Sequence, residues 1–164
     1  NEDERGFFSR VWCKNEFEEV GLDANIFQIN NSLNRDKGTL RGLHFQCPPK
    51  AETKIVRCIS GAIWDVIVDI RESSTTYGKW YGTELNDNNR TMMYVPKGFA
   101  HGFQTLVDNV ELLYLHSEFY SQKHESGLSY NDKTIDIDWP LPVSEISERD
   151  KSHPNLNKLD PIKL

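Results

Sequence analysis

Cysteine is sparse in this chain, and its placement excludes both a disulfide scaffold and a thiolate metal site. Cys13, Cys47 and Cys58 are odd in number, widely spaced and never in paired C-x-x-C spacing, so the sequence predicts reduced thiols. No apolar run approaches the roughly 18 residues that a membrane span needs. With no signal-peptide pattern either, the expectation is a soluble, cytoplasmic protein with no membrane partner. Positive charge is in deficit: 19 Lys and Arg against 25 Asp and Glu give a net charge of -6. That balance argues against nucleic acid as a partner and confines any phosphate site to a local cationic pocket. Internal repeats and low-complexity segments are absent. At 164 residues the chain reads as one domain, 1–164, able to bury about two thirds of its unfolded surface without staples. It opens on Asn1 and runs at once into a motif-like stretch, Asp3 to Phe8, which leaves room for a preceding segment.

Helical pattern is also scarce, and strand pattern takes its place. Turn signals at Ser60-Gly61, Tyr77-Gly78, Asn86 to Asn89, Pro96 to Gly98 and Asp108-Asn109 punctuate runs rich in β-branched and aromatic residues. Those runs predict strands at 54–59, 62–70, 80–85, 91–95, 102–106 and 110–120. One short helix is expected at 15–20, capped by Asn15, and the last quarter, with four of the seven prolines, reads as irregular. Short strands separated by frequent turns imply a sandwich or barrel, mainly β, whose interior can hold a small ligand. Within Asp65 to Arg71 the aspartates share a face opposite Val66, Val68 and Ile70. The ordinary reading makes it a solvent face; a sharper one places Asp65 or Asp69 in a polar cavity.

The densest functional signal is Gly38-Thr39-Leu40-Arg41-Gly42-Leu43-His44-Phe45-Gln46. In a regular strand Arg41 and His44 would point to opposite faces, so a bulge or kink at Gly42 is needed to aim both into one cavity. A histidine suits proton transfer near neutral pH and an arginine suits a phosphorylated anion. His101, in Pro96-Lys97-Gly98-Phe99-Ala100-His101, is a second candidate. Every such side chain also has an ordinary reading: a strand histidine packs in a core or on a surface, Lys54 at a strand start is solvated, Tyr114 is core packing, and Asp150 is a charge in a polar tail. His116, His124 and His153 have no partner at a telling spacing and are read as surface residues.

The spacing Pro96-x-Gly98-x-x-His101 resembles the second half of the cupin signature. The first half departs from metal-binding cupins, because His44 is followed by Phe45 and Gln46 and the next carboxylate is Glu52, so no bound metal is expected. The ordered set Asp3-Glu4-Arg5-Gly6-Phe7-Phe8, Leu40 to Gln46, Lys54-Ile55-Val56-Arg57-Cys58, Pro96 to Phe103 and Trp139-Pro140 resembles the dTDP-4-dehydrorhamnose 3,5-epimerase family, metal-independent cupins. The likeness runs from about Asp3 to Asp150. It implies a jelly-roll double-stranded β-barrel with few short helices, no cofactor, a nucleotide-diphosphate sugar as substrate and a homodimer.

The resemblance also implies roles. His44 matches the family's base, Asp150 its carboxylate partner, Tyr114 the acid on the opposite face, and Lys54 the cation beside the sugar ketone. Arg5, Gln28, Asn30 and Arg41 match positions that grip the diphosphate and nucleoside. His101 and Glu125 match sugar or nucleotide contacts, and Tyr120 the aromatic that stacks on the base. In the family, residues of the Arg5 type reach across to the neighbouring subunit. Two positions depart from the family's pattern: Arg10, often glutamate, and Arg149, often lysine, and both lie where the nucleotide would be read. The implied activity is inversion at C3 and C5 of a 4-keto-6-deoxyhexose, probed against a single-carbon epimerase, an enzyme for a GDP- or CDP-linked sugar, a metal-dependent cupin, and a non-catalytic nucleotide-sugar binding module.

Overall fold

A computed structural model describes residues 1–164. After a small hairpin of β1 (Glu2–Asp3) and β2 (Gly6–Phe7) and a short helix α1 (Lys14–Glu19), the chain forms a run of strands: β3 (Gln28–Asn34), β4 (Leu40–Gln46), β5 (Lys54–Ser60), β6 (Ala62–Asp69), β7 (Trp80–Asn86), β8 (Met92–Val95), β9 (Phe99–Thr105), β10 (Val110–His116) and β11 (Glu125–Gly127). They make a four-stranded sheet in the order β3-β10-β5-β8 and a five-stranded sheet in the order β11-β4-β9-β6-β7. Every pairing within the two sheets is antiparallel. The mainly β, jelly-roll barrel that the turn spacing and the resemblance implied is therefore present.

Two apolar clusters hold this arrangement. Val56, Cys58 and Leu112 from one sheet meet Ile63, Ile67 and Phe103 from the other inside the barrel. Outside, Leu43, Phe45, Val66, Val68 and Ile70 pack under Leu128, Ile135 and Ile162 of the C-terminal segment. Burying each of those last three contributes roughly 1.5–3 kcal/mol relative to exposure. Backbone bonds pin the segment as well: Leu43 and Leu128 exchange amide-to-carbonyl bonds at 3.2 and 2.9 Å, and the Leu40 amide donates to the Glu145 carbonyl at 2.8 Å. A four-residue helix, α2 (Glu148–Lys151), follows, and the Ser147 hydroxyl caps it by accepting from the Asp150 amide.

Three expectations change. Strand β6 has no solvent face: Asp65 and Asp69 are 0% and 1% exposed, because the C-terminal segment covers one side of the sheet and the barrel interior the other. Helix α1 starts one residue early, at Lys14, and its cap residue, Cys13, makes no side-chain capping bond. Strand β3 forms where the polar run Gln28–Asn34 gave no strand signal, because β10 offers it a complete antiparallel partner.

Candidate active site

Strand β4 places Arg41 and His44 in the same cavity through a one-residue bulge. Arg41 pairs with Phe103 of β9 and His44 with His101, so three steps on β4 match two on β9. Gly42 makes this possible. Its φ of +114 lies in a region that side chains rarely adopt, and a Cβ there would stand 2.6 Å from the Gly102 Cα. The bend that the sequence required at Gly42 is present, and it aims two side chains that a regular strand would separate.

His44 is held from behind. Its Nε2 donates to the Asp150 carboxylate at 2.8 Å. Asp150 is 3% exposed and its other oxygen accepts from the Gly42 amide at 3.0 Å. Burial pushes the Asp150 pKa upward, but the hydrogen bonds from His44, the Gly42 amide and Ser147 outweigh it and hold the carboxyl well below its ordinary range. An ionised carboxylate only accepts, so Nε2 must carry the ring proton and the Nδ1 lone pair is left basic. Arg149 sits over the same edge, with Nη2 3.1 Å from His44 Nε2.

The facing wall comes from the other sheet. Asn30 and Ser32 of β3, Lys54 of β5, and Tyr114 and His116 of β10 line a cavity of about 300 Å³ together with Arg41, His44 and His101. The Tyr114 hydroxyl lies 3.3 Å from Ser32 Oγ, and burial pushes its pKa well up, so the phenol keeps its proton. Lys54 is not solvated: its side chain is 12% exposed and pairs with Glu52 at 3.1 Å. The other Glu52 oxygen accepts from His116 Nδ1 at 2.9 Å. Burial raises the Glu52 pKa, while bonds to His116 and Lys54 prevail and lower it, keeping a carboxylate between the two. Deeper in the barrel, His101 Nε2 donates to buried Asp65 at 2.8 Å, and burial raises the Asp65 pKa despite that bond.

A polar chain along the rim connects the remaining nominated residues. Gln28 bonds both the Asn30 side chain and the Tyr120 amide at 3.2 Å. The Tyr120 hydroxyl donates to Glu125 at 2.9 Å, and Arg149 Nη1 reaches the same carboxylate at 3.0 Å. Arg41 Nε is braced by Asn34 at 2.6 Å. Arg5 stands apart: it lies in the exposed N-terminal hairpin, paired with Asp3 and with a side chain that is 89% exposed. Arg10 pairs with Glu16 on the surface.

Two of the histidines read as surface residues are not. His116 has a 13% exposed side chain and stacks on Tyr114 with centroids 6.2 Å apart. His153 is 14% exposed, with Nε2 3.6 Å from Asp150. Burial, then the nearby His44, lower its pKa from the ordinary 6.5. Glu52, the partner of His116, is 64 positions away, so spacing carried no sign of that contact, whereas His153 lies only three residues after Asp150. Alternation did carry one for His116, which lies two residues beyond Tyr114 on the same strand face. His124 is half-buried and bonds Ser121 at 2.7 Å.

Comparison with known proteins gives the same picture. The family described as dTDP-4-dehydrorhamnose 3,5-epimerase matches residues 1–158. A Shigella flexneri dTDP-4-dehydrorhamnose 3,5-epimerase is 46% identical over 149 residues, covering 90% of this chain and 82% of its own length. A crystal structure of the Bacillus anthracis enzyme, with TDP and PPi bound, superposes with a TM-score of 0.91 at 44% identity, covering 93% of this chain and 87% of that one. The Legionella pneumophila dTDP-6-deoxy-D-glucose-3,5-epimerase, in complex with dTDP-4-keto-L-rhamnose, gives a TM-score of 0.91 at 37% identity, covering 99% and 88%. With the barrel, the bulged histidine strand and the opposed tyrosine strand in place, the chain belongs to the dTDP-4-dehydrorhamnose 3,5-epimerase family.

Proposed function

We propose that this chain inverts C3 and C5 of a dTDP-linked 4-keto-6-deoxyhexose. The observation that carries this reading is the placement of His44 and Tyr114 on the two opposed sheets of one cavity. Inversion needs a base on one face of the sugar and an acid on the other. His44 Nδ1 takes the proton from a carbon next to the ketone, and the electron pair moves into the enolate. Asp150 stabilises the imidazolium that results. The Lys54 ammonium stabilises the enolate oxygen, a contribution typically worth 10²- to 10³-fold in rate. The Tyr114 phenol then delivers its proton to the opposite face of that carbon. Exchange with solvent returns a proton to Tyr114 and removes one from His44, and the cycle repeats at the second carbon. A sugar-binding module has no use for a buried acid facing an oriented base.

Arg41 and Arg149 are the cations available to a diphosphate, and Tyr120 at the rim is 56% exposed and free to stack on a base. The relatives' TDP and dTDP-sugar ligands support thymine as that base. A homodimer is part of the proposal. Edge strand β3 presents Ile29 and Leu33 at 59% and 52% exposure, beside exposed Phe27 and Phe119. In such a dimer Arg5, unused by its own cavity, serves the partner's. A cytoplasmic location fits the three free thiols.

Proton NMR of dTDP-4-keto-6-deoxyglucose with the protein in deuterium oxide tests this directly. Exchange of hydrogen for deuterium at both C3 and C5 is expected. Exchange at one carbon alone would make it a single-carbon epimerase, and exchange at neither would refute the substrate assignment.

A further inference from the structure

Beneath His44, on the side away from Tyr114, three potential ligand atoms converge: those of His44, Asp150 and His153 lie within 4.8 Å of one another. Asp150 Oδ1 is 2.8 Å from His44 Nε2 and 3.6 Å from His153 Nε2. The two imidazoles meet edge to face with centroids 5.6 Å apart. His153 Nε2 is buried and has no hydrogen-bond partner. That nitrogen is unexplained by the fold. The ring is wedged against the bare Cα of Gly127, where a Cβ would stand 2.3 Å from the same Nε2. Gly127 thereby gives the second imidazole room to lie beside the first.

Two imidazole nitrogens and one carboxylate oxygen form a zinc donor set. Ligands about 2.0–2.2 Å from a tetrahedral zinc stand roughly 3.3–3.6 Å from each other; the two spacings to Asp150 span that range, and the two nitrogens lie within 4.8 Å of each other. His44 and Asp150 also open onto a cavity of about 400 Å³, which offers water a route to a fourth position. Arg149 is the competing group, with Nη2 3.1 Å from His44 Nε2 and Nε 3.6 Å from Asp150 Oδ1, and zinc would have to displace it from both. Its side chain is about half exposed, with solvent on the side away from Asp150 into which it can be displaced.

We propose that His44 Nε2, Asp150 Oδ1 and His153 Nε2 form an inhibitory zinc site. The inhibition follows from proton bookkeeping within one ring. Zinc on Nε2 requires that lone pair, so the single proton of the neutral imidazole moves to Nδ1. Nδ1 is the nitrogen assigned above to abstract the substrate proton, and with a hydrogen on it the base is disabled while the sugar site stays open. The switching half of the proposal thus rests on the reading of His44 as the base; the binding half does not.

The test has two arms. In the first, substrate-free protein is titrated with zinc chloride against a chromogenic zinc indicator, and with cobalt(II), whose visible absorption reports a low-coordinate nitrogen and oxygen site. One equivalent per chain is expected, weakened roughly tenfold or more in His153→Gln. Absence of binding in the wild-type protein, or binding that a folded His153→Gln retains in full, would overturn the site. The cobalt spectrum of the wild-type protein keeps the test open should the variant not fold. In the second arm, zinc is added to epimerisation assays at saturating substrate. Loss of kcat with KM unchanged, reversed by EDTA, is expected. A rise in KM alone would place the ion on the diphosphate and refute the switch. Undiminished turnover with zinc bound through His153 would refute Nδ1 as the base. The first arm needs no substrate, so an error in the substrate assignment leaves the site itself testable.

Discussion

Replacing Asp150 by asparagine removes one charge and almost no volume, and so isolates what the carboxylate does for His44. The two side chains meet at 2.8 Å, and at an effective dielectric of about 20 a full imidazolium–carboxylate attraction at that distance is about 6 kcal/mol. In the transition state the proton is only partly transferred. If half the charge has developed, the loss is about 3 kcal/mol, or roughly 10²-fold in kcat. A second effect adds to it. The asparagine oxygen can keep the Gly42 amide, now bonded at 3.0 Å, which turns its NH₂ toward His44 Nε2. Nε2 must then accept, the ring proton moves to Nδ1, and the base loses its lone pair. Together the two effects place the expected fall in kcat between about 10² and 10⁴. KM should change little, since Asp150 lies behind the imidazole. The assay is deuterium wash-in at C3 and C5 followed by NMR, with thermal melting to confirm the fold. A loss of less than about tenfold, or a KM effect larger than the kcat effect, would refute the role assigned to Asp150.

Tyr114→Phe should slow formation of the epimerised product by on the order of 10²-fold or more, while exchange of the substrate proton, which needs only His44, falls far less; equal losses would contradict the split between base and acid. Gly42→Ala forces a Cβ to within 2.6 Å of Gly102 at a φ of +114. Strain of about 1–3 kcal/mol should lower Tm by roughly 2 to 12 °C, and misalignment of His44 by about 1 Å should cost up to 10²-fold in kcat, both readable on one preparation. Asp69, 1% exposed, accepts from Arg71, Ser74 and Thr76. Burial opposes ionisation there, but those bonds hold its pKa far below the ordinary 3.8. The stabilisation is therefore complete above the unfolded carboxylate range, near pH 4, and fades as pH falls through the folded value. Asp69→Asn should be about 2–3 kcal/mol less stable at pH 7, and calorimetry should show that deficit shrinking below pH 4.

The strand pattern and the bent histidine strand were legible in the sequence because both are local. Alternation and turn residues mark β5 to β10, and a glycine set between Arg41 and His44 announces a place where the backbone must bend. What the sequence hid depends on distant partners. Asp150 is separated from His44 by 106 positions, and nothing in its own neighbourhood raised it above a charge in a polar tail until the family likeness did. One local cue was present, a serine three residues ahead of it that caps α2. His116 became an interior residue because Glu52 arrives from 64 positions away, and His153, only three residues after Asp150, because its segment folds back against His44 and Gly127. Strand β3 ran against its own composition, with three asparagines among QINNSLN, and folded as a strand because β10 satisfied its backbone.

The cluster of Val56, Leu112, Ile63, Ile67 and Phe103 between the sheets does more than stabilise the barrel. It is the gauge block that sets the gap between the sheet bearing His44 and the sheet bearing Tyr114. Since packed interiors do not compress smoothly, that gap is a fixed dimension of the molecule. Handedness of the product is then a mechanical tolerance: a methylene added or removed at Leu112, which touches no sugar, would widen or narrow the jaws. The outcome would be read in the ratio of stereoisomers as well as in the melting temperature, which the altered packing alone would lower by about 2–4 °C per kcal/mol.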